Sequence, residues 1–92
     1  MSDYHEPVEQ LSQNTRSFTR ALNSLKEEIE AVDWYNQRAD VEQNEELKKI
    51  LQHNMNEEME HAVMTLEWLR RNMDGWDKQL KKFLFTEDEI AH

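Results

Sequence analysis

Apolar side chains recur along the chain at Val8, Leu11, Phe18, Leu22, Leu25, Ile29 and Val32, with Thr15 holding the open position in the register. The steps alternate between three and four residues, the repeat that lays a stripe along one face of an α-helix. Pro7 suits a first helical turn, where its missing N–H is not needed. The pattern predicts a first helix from about residue 7 to about residue 39, on the order of 48 Å long at about 1.5 Å per residue. Asp40-Val-Glu-Gln-Asn44 interrupts the stripe with neither glycine nor proline. Asp40 or Asn44 is the candidate cap of a second helix, and a single bent helix is the alternative. Leu51, Met55, Met59, Ala62, Leu66, Leu69 and Met73 repeat the threes and fours and predict a second helix over about 45–73. Gly75, after Arg70 and Arg71 in the last turn, is its expected C-terminal cap. Trp76, Leu80, Phe83 and Leu84 predict a short third helix over 76–85. Thr86-Glu-Asp-Glu89 has the spacing of a capping box that would open a further one. Residues 1–6 and 88–92 are expected to fray.

Composition narrows the fold class. One glycine and one proline leave almost no turn chemistry for strands and hairpins, so the expectation is all-α. A chain of 92 residues is read as one domain over 1–92. Two long helices make a poor core by themselves, and a second copy is expected to complete their apolar faces. The predicted architecture is two long antiparallel helices plus a short C-terminal helix, half of a four-helix bundle completed by homodimerisation. The hydrophobic share of 37% is low, but three tryptophans, two tyrosines and three phenylalanines argue for packing over disorder.

Charge and cysteine content exclude several functions. There is no cysteine, hence no disulfide framework, thiolate zinc site or thiolate nucleophile. Twenty acidic and 11 basic side chains give a net charge of −9, which argues against a nucleic-acid partner. The same balance suits either cation binding or a solvated surface. No apolar run approaches the roughly 20 residues of a membrane span, and no charged-then-apolar leader suggests secretion.

The acidic residues are placed unevenly. In Glu27-Glu-Ile-Glu-Ala-Val-Asp-Trp-Tyr35, a rotation of 100° per residue sets Glu28 beside the apolar seam, near Leu25, Val32 and Tyr35, with Glu27, Glu30 and Trp34 on the opposite side. In His53-Asn-Met-Asn-Glu-Glu-Met-Glu-His61, Glu58 flanks the Met55/Met59/Ala62 stripe and His61 follows three residues on. His53, Glu57 and Glu60 form a second stripe facing away. Side chains at i and i+3 of a helix are neighbours, so Glu58 and His61 can reach one ion. Di-iron carboxylate bundles use one glutamate from each of two helices and Glu-x-x-His from each of the other two. This chain supplies half of that set on half of a bundle. A two-fold dimer would gather two copies each of Glu28, Glu58 and His61 around a pair of ions, and oxygen ligands with one imidazole per ion suit iron, with manganese or zinc as the alternatives.

The plainer readings are these. A lone Glu-x-x-His on an acidic helix is commonly surface charge. Met55, Met59 and Met64 read as core fillers, and Trp34, Trp68 and Trp76 as packing residues. His5 and His92 are assigned nothing, and His53 is open between exposed surface and a secondary cation site. Glu28, Glu58 and His61 stand apart because charge beside an apolar seam is costly unless paired or metal-bound.

These strings, with Met64-Thr-Leu-Glu-Trp-Leu-Arg-Arg-Asn72 and Leu84-Phe-Thr-Glu87, resemble the encapsulated ferritins over nearly the whole chain, from about His5 to Glu87. The resemblance implies a ferroxidase that oxidises Fe(II) with dioxygen, its centre of two irons formed between two subunits. It further implies dimers assembling into an open ring, commonly a decamer, and enclosure in a cytoplasmic encapsulin shell that stores the mineral. By the same resemblance Glu28, Glu58 and His61 look like the ferroxidase ligands, and Tyr35 like the tyrosine beside them. Glu27, Glu30 and Trp34 look like the outer site where iron enters. His53, Glu57 and Glu60 look like a secondary site for calcium or another divalent cation. Longer members of that family end in a peptide that docks on the shell wall; nothing after Thr86 resembles it, so enclosure is expected on the family resemblance alone. The competing expectation is a metal-independent acidic helical-hairpin adaptor. A carboxylate-bridged oxygenase would need an enclosed apolar pocket, for which two slim helices offer little room.

Overall fold

The computed structural model describes residues 4–91. A 3-10 turn over Val8–Gln10 leads into three α-helices: α1 (Gln13–Val41), α2 (Glu45–Asn72) and α3 (Trp76–Phe83). No strand occurs among the described residues. Part of the expected fraying falls on residues 1–3 and 92, which lie outside the described residues.

The first helix starts later than its apolar repeat suggests. Ser12 is the N-cap, its side chain accepting from the Thr15 N–H at 3.1 Å, which satisfies a donor with no partner inside the helix. Val8 therefore sits in the 3-10 turn and Leu11 is extended, so Pro7 precedes the turn instead of opening the helix. Arg16 of α1 ties the turn down by donating to the Val8 carbonyl.

The chain reverses at 42–44, so the bent single helix is excluded. Asn44, not Asp40, caps α2: its Oδ1 accepts from the Leu47 N–H at 2.9 Å, and the Glu42 carboxylate accepts from the Asn44 N–H at 3.1 Å. Glu28 meets Thr65, and the Phe18 ring stands edge-on to Trp68 with centroids 6.0 Å apart. Both contacts fix α1 and α2 as an antiparallel pair.

Gly75 does not cap α2. Met73 holds that place, and Gly75 precedes α3 with φ +102°, the left-handed turn that lets the chain change direction. The third helix ends at Phe83, two residues early, because the chain is extended at Leu84 and Phe85 then takes φ +58°. Thr86–Glu89 opens no helix. Five charged side chains brace the corner between α2 and α3. Arg70 donates to both oxygens of Glu67 at 2.6 and 2.8 Å and to Asp77 of α3 at 2.6 Å. Arg71 meets Glu67 at 2.6 Å, and Lys81 meets Asp77 at 3.0 Å. The hydrogen bonds from Arg70 and then Arg71 hold the Glu67 carboxyl down to about 2. Asp77 is lowered by its bonds to Arg70 and Lys81, and Arg70 is held more firmly in its charged form.

The packed face is rotated from the one the apolar repeat suggests. On α1 the half-buried stripe is Ala21, Leu25, Glu28, Val32 and Tyr35, ending on buried Ala39; on α2 it is Leu51, Met55, Glu58, Ala62 and Thr65, ending on buried Leu69. Each runs 4, 3, 4, 3, 4, and each carries a glutamate at its centre. Ile29, one residue from Glu28, is 57% exposed, and Met59, one residue from Glu58, is 43% exposed. The apolar repeat thus serves two faces, one packed within the hairpin and one left open.

That open face is large. Leu69 is fully buried and Ala39 nearly so, while Leu22, Ile29, Met59 and Val63 stand exposed on that face and Ile50 and Met64 are exposed on the opposite flank of α2. The accessible surface is 7725 Å², against about 5,700 Å² for a compact monomer of this mass. The radius of gyration is 16.9 Å, against about 12 Å for a compact chain of this length.

Candidate metal centre

Glu28 stands in the middle of the α1 stripe, where an ordinary hairpin would place leucine. Its Oε1 accepts from the Thr65 hydroxyl at 3.4 Å. Its Oε2 is buried and has no hydrogen-bond partner. A carboxylate oxygen removed from water without a donor is held at a cost. A positive charge brought to the same spot would relieve that cost.

The helix register assembles the rest. Tyr35 lies seven residues beyond Glu28 on α1, and Glu58 seven residues before Thr65 on α2. Because the helices are antiparallel, both steps run the same way along the hairpin, about 10 Å each. Tyr35 and Glu58 therefore both lie on the turn side of the Glu28–Thr65 contact, each one heptad along its own helix. His61 lies beside Glu58, Nδ1 to Oε2 3.7 Å, with side chains 49% and 26% exposed. That separation is too long for a hydrogen bond and pairs the two by charge when the imidazole is protonated. The Arg38 guanidinium lies 5.2 Å from the centroid of the Tyr35 ring, within range of a cation–π contact.

Of the sequence-derived candidates, the hairpin sets Glu28, Tyr35, Glu58 and His61 on or next to its inner stripe. Within a single chain they do not close into a cage: among the described residues, no group of three or more histidines, aspartates or glutamates is gathered tightly enough to hold an ion. Glu27, Glu30 and Trp34 are exposed on the outer side of α1, and Trp34 lines a shallow hollow with Gln37 and Arg38. On α2, His53 Nε2 lies 3.4 Å from Glu57 Oε1, and Glu60 is exposed. Thr65 and Arg38 were not singled out by sequence reasoning. Heptad spacing from Glu58 was the available signal for Thr65, and an i+3 step from Tyr35 for Arg38. The donors suit a hard divalent cation, carboxylate oxygens with an imidazole nitrogen.

An all-helical hairpin with an acidic inner stripe and an unfilled apolar face is half of a ferritin-like bundle. The chain belongs to the EncFtn-like family, whose model matches residues 3–87. It is 62% identical over 88 residues to a ferritin-like protein of Thermotoga maritima, covering 96% of this chain and 77% of the relative. It is 55% identical over 87 residues to an encapsulated ferritin-like protein of Rhodospirillum rubrum, covering 95% of this chain and 62% of that relative. A crystal structure of a Nitrosomonas europaea protein superposes with a TM-score of 0.93 at 54% identity, covering 99% of this chain and all of that one. Membership of this family gives the protein a ferritin-like, iron-related role. No helix among the described residues is long and apolar enough to cross a membrane.

Proposed function

We propose that the protein is a ferroxidase whose centre forms between two copies, from Glu28, Glu58 and His61 of each, with Tyr35 beside them. The observation that carries this reading is the Glu28 carboxylate, set in the packed stripe with Oε2 buried and without a donor. Iron is the substrate: two Fe(II) ions held there would each give an electron to dioxygen, which takes up two protons from water to reach the hydrogen peroxide level, and leave as Fe(III).

The chain's own groups have distinct parts in this. Glu28 and Glu58 bring negative oxygens that offset the charge of the ions. His61 supplies one imidazole nitrogen beside the Glu58 carboxylate. Tyr35 places a phenol on the same half-buried stripe as Glu28, one heptad along α1. The exposed stripes of Glu27, Glu30 and Trp34, and of His53, Glu57 and Glu60, would raise the local cation concentration and hold calcium or other divalent ions as secondary sites.

The second copy is proposed from surface. The excess of about 2,000 Å² over a compact monomer is the scale of a stable interface: the copy that completes the centre would lie on the side of α2 that carries His61, while the exposed Leu22, Ile29, Met59 and Val63, with Met59 and Val63 about 160° around the helix from His61, would serve a second interface. Dimers joined into a ring, a decamer on the family pattern, would account for apolar surface beyond one interface. The name of the Rhodospirillum relative, encapsulated ferritin-like, supports enclosure in a shell; on our reading that shell is a cytoplasmic encapsulin that stores the mineral.

The test is anaerobic titration with Fe(II), then oxygen. Two irons per dimer and rapid oxidation are expected, with loss of the fast phase in Glu28→Ala and His61→Ala. A wild-type rate in either variant, or assembly without oxidase activity in iron and in chelator alike, would replace this reading with the acidic adaptor.

A further inference from the structure

We propose that Thr65 is a positioning residue for Glu28: its hydroxyl engages Oε1 and so sets the carboxylate with Oε2 as the oxygen offered to a metal. The inference deepens the ferroxidase reading and rests on it. Thr65 is half-buried on the inner stripe of α2, directly across the hairpin from Glu28. A threonine hydroxyl in a helix commonly turns back to the carbonyl one turn earlier; this one reaches across to the other helix. Branching at Cβ restricts the χ1 choices of the side chain, so the backbone of α2 leaves the donor few directions, one of which reaches Glu28.

The two oxygens of Glu28 are thereby made unequal. Oε1 has a donor at 3.4 Å, and Oε2 is buried with none. A carboxylate free to spin about its last bond would present either oxygen or both. With one oxygen engaged, the carboxylate has a preferred orientation before any ion arrives, as partners of ligating carboxylates commonly arrange. The hydrogen bond is long for a hydroxyl donor, so its effect belongs at the low end of the roughly 10- to 100-fold that such partners contribute to metal affinity.

The experiment uses the full chain and Co(II), whose visible bands report ligand number and geometry, titrated anaerobically against a competing chelator. Thr65→Val removes the hydroxyl and keeps the shape, and Thr65→Ser keeps the hydroxyl. Wild type and Thr65→Ser are expected to bind with the same bands, and Thr65→Val to bind about ten-fold more weakly with altered bands. Circular dichroism of each variant reports folding; if Thr65→Val loses helix, Thr65→Ala takes its place against Thr65→Ser. Wild-type affinity and bands in the hydroxyl-free variant overturn the role of Thr65 and leave the ferroxidase reading standing. A wild-type protein that binds no Co(II) overturns both.

Discussion

Arg70 of α2 and Asp77 of α3 are joined by an ion pair of 2.6 Å that spans the turn at Gly75. The same guanidinium grips both oxygens of Glu67 one turn back along α2. A single side chain thus links the last turn of the long hairpin to the first turn of the short helix, and the angle at which α3 leaves α2 depends on it. The groups are partly exposed, so the brace draws on hydrogen-bond geometry and several charges acting together more than on any one pair.

This brace makes the α2–α3 corner acid-sensitive. The Glu67 carboxyl is held near 2, below its ordinary 4.5, and Asp77 is also lowered. A depressed carboxyl contributes its stability in full above the unfolded value and loses it as pH falls through the folded one. The corner is therefore expected to hold at about pH 4.5 and above and to loosen as pH falls toward about 2. Fluorotryptophan NMR, which resolves the three tryptophans, should show the Trp76 signal moving in that window. In Arg70→Met the Trp76 signal should already sit at its loosened position at neutral pH.

Leu69 is fully buried and is the firmest apolar anchor of the hairpin. Leu69→Ala is expected to cost about 2–5 kcal/mol through lost transfer energy and the cavity left behind. Denaturant unfolding at one fixed protein concentration checks this, since assembly would make stability depend on concentration. A change below about 1 kcal/mol would show that the site collapses around the smaller side chain.

Ser12 and Asn44 open the two long helices with the same device, a side-chain oxygen accepting from an N–H three residues on. Ser12→Ala and Asn44→Ala are each expected to cost about 1 kcal/mol. Asn44 also determines where the chain reverses. Its loss should lower the melting temperature without removing the helical circular dichroism.

If the open face seats a second copy, a charge placed there should block assembly. Ile29→Lys is expected to lower the sedimenting mass to a species no larger than the dimer that shares the metal centre, while Lys78→Glu, on exposed α3 surface, should leave mass unchanged. Wild-type mass should rise on adding Fe(II) or Ca(II), because ions would offset glutamates brought close across the interface. Equal mass at all protein and metal concentrations would count against metal-linked assembly.

Much of this was legible in the sequence, for identifiable reasons. Alternating threes and fours located both long helices because a helix repeats near that interval whatever packs against it. The late start of α1 was hidden because Val8 and Leu11 happen to keep the repeat while Ser12, a polar residue outside it, decides where the helix begins. The rotation of the packed face was hidden more deeply. Counting apolar residues selects Leu22, Ile29 and Met59, but those lie on the open side, and the hairpin seats Glu28 and Glu58 instead. Sequence reasoning placed the two glutamates beside the seam; the fold places them in it. Contacts such as Thr65 to Glu28 and Arg70 to Asp77 depend on which helices meet and at what level, and no local pattern encodes that.

The equal seven-residue spacing of Tyr35 and Glu58 from the Glu28–Thr65 contact carries a consequence for how the chain can change in length. Each lies seven residues from the Glu28–Thr65 contact, on opposite rails of the hairpin. Deleting one residue on either rail would turn everything beyond it by about 100° and slide it about 1.5 Å, so a ligand would leave the inner face even though no ligand had been mutated. A two-residue step would do no better. Insertions within 28–35 or 58–65 should then be tolerated in whole heptads alone, and on both rails together. The spacing of these residues is a phase condition, and it constrains insertions and deletions as strictly as the chemistry constrains substitutions.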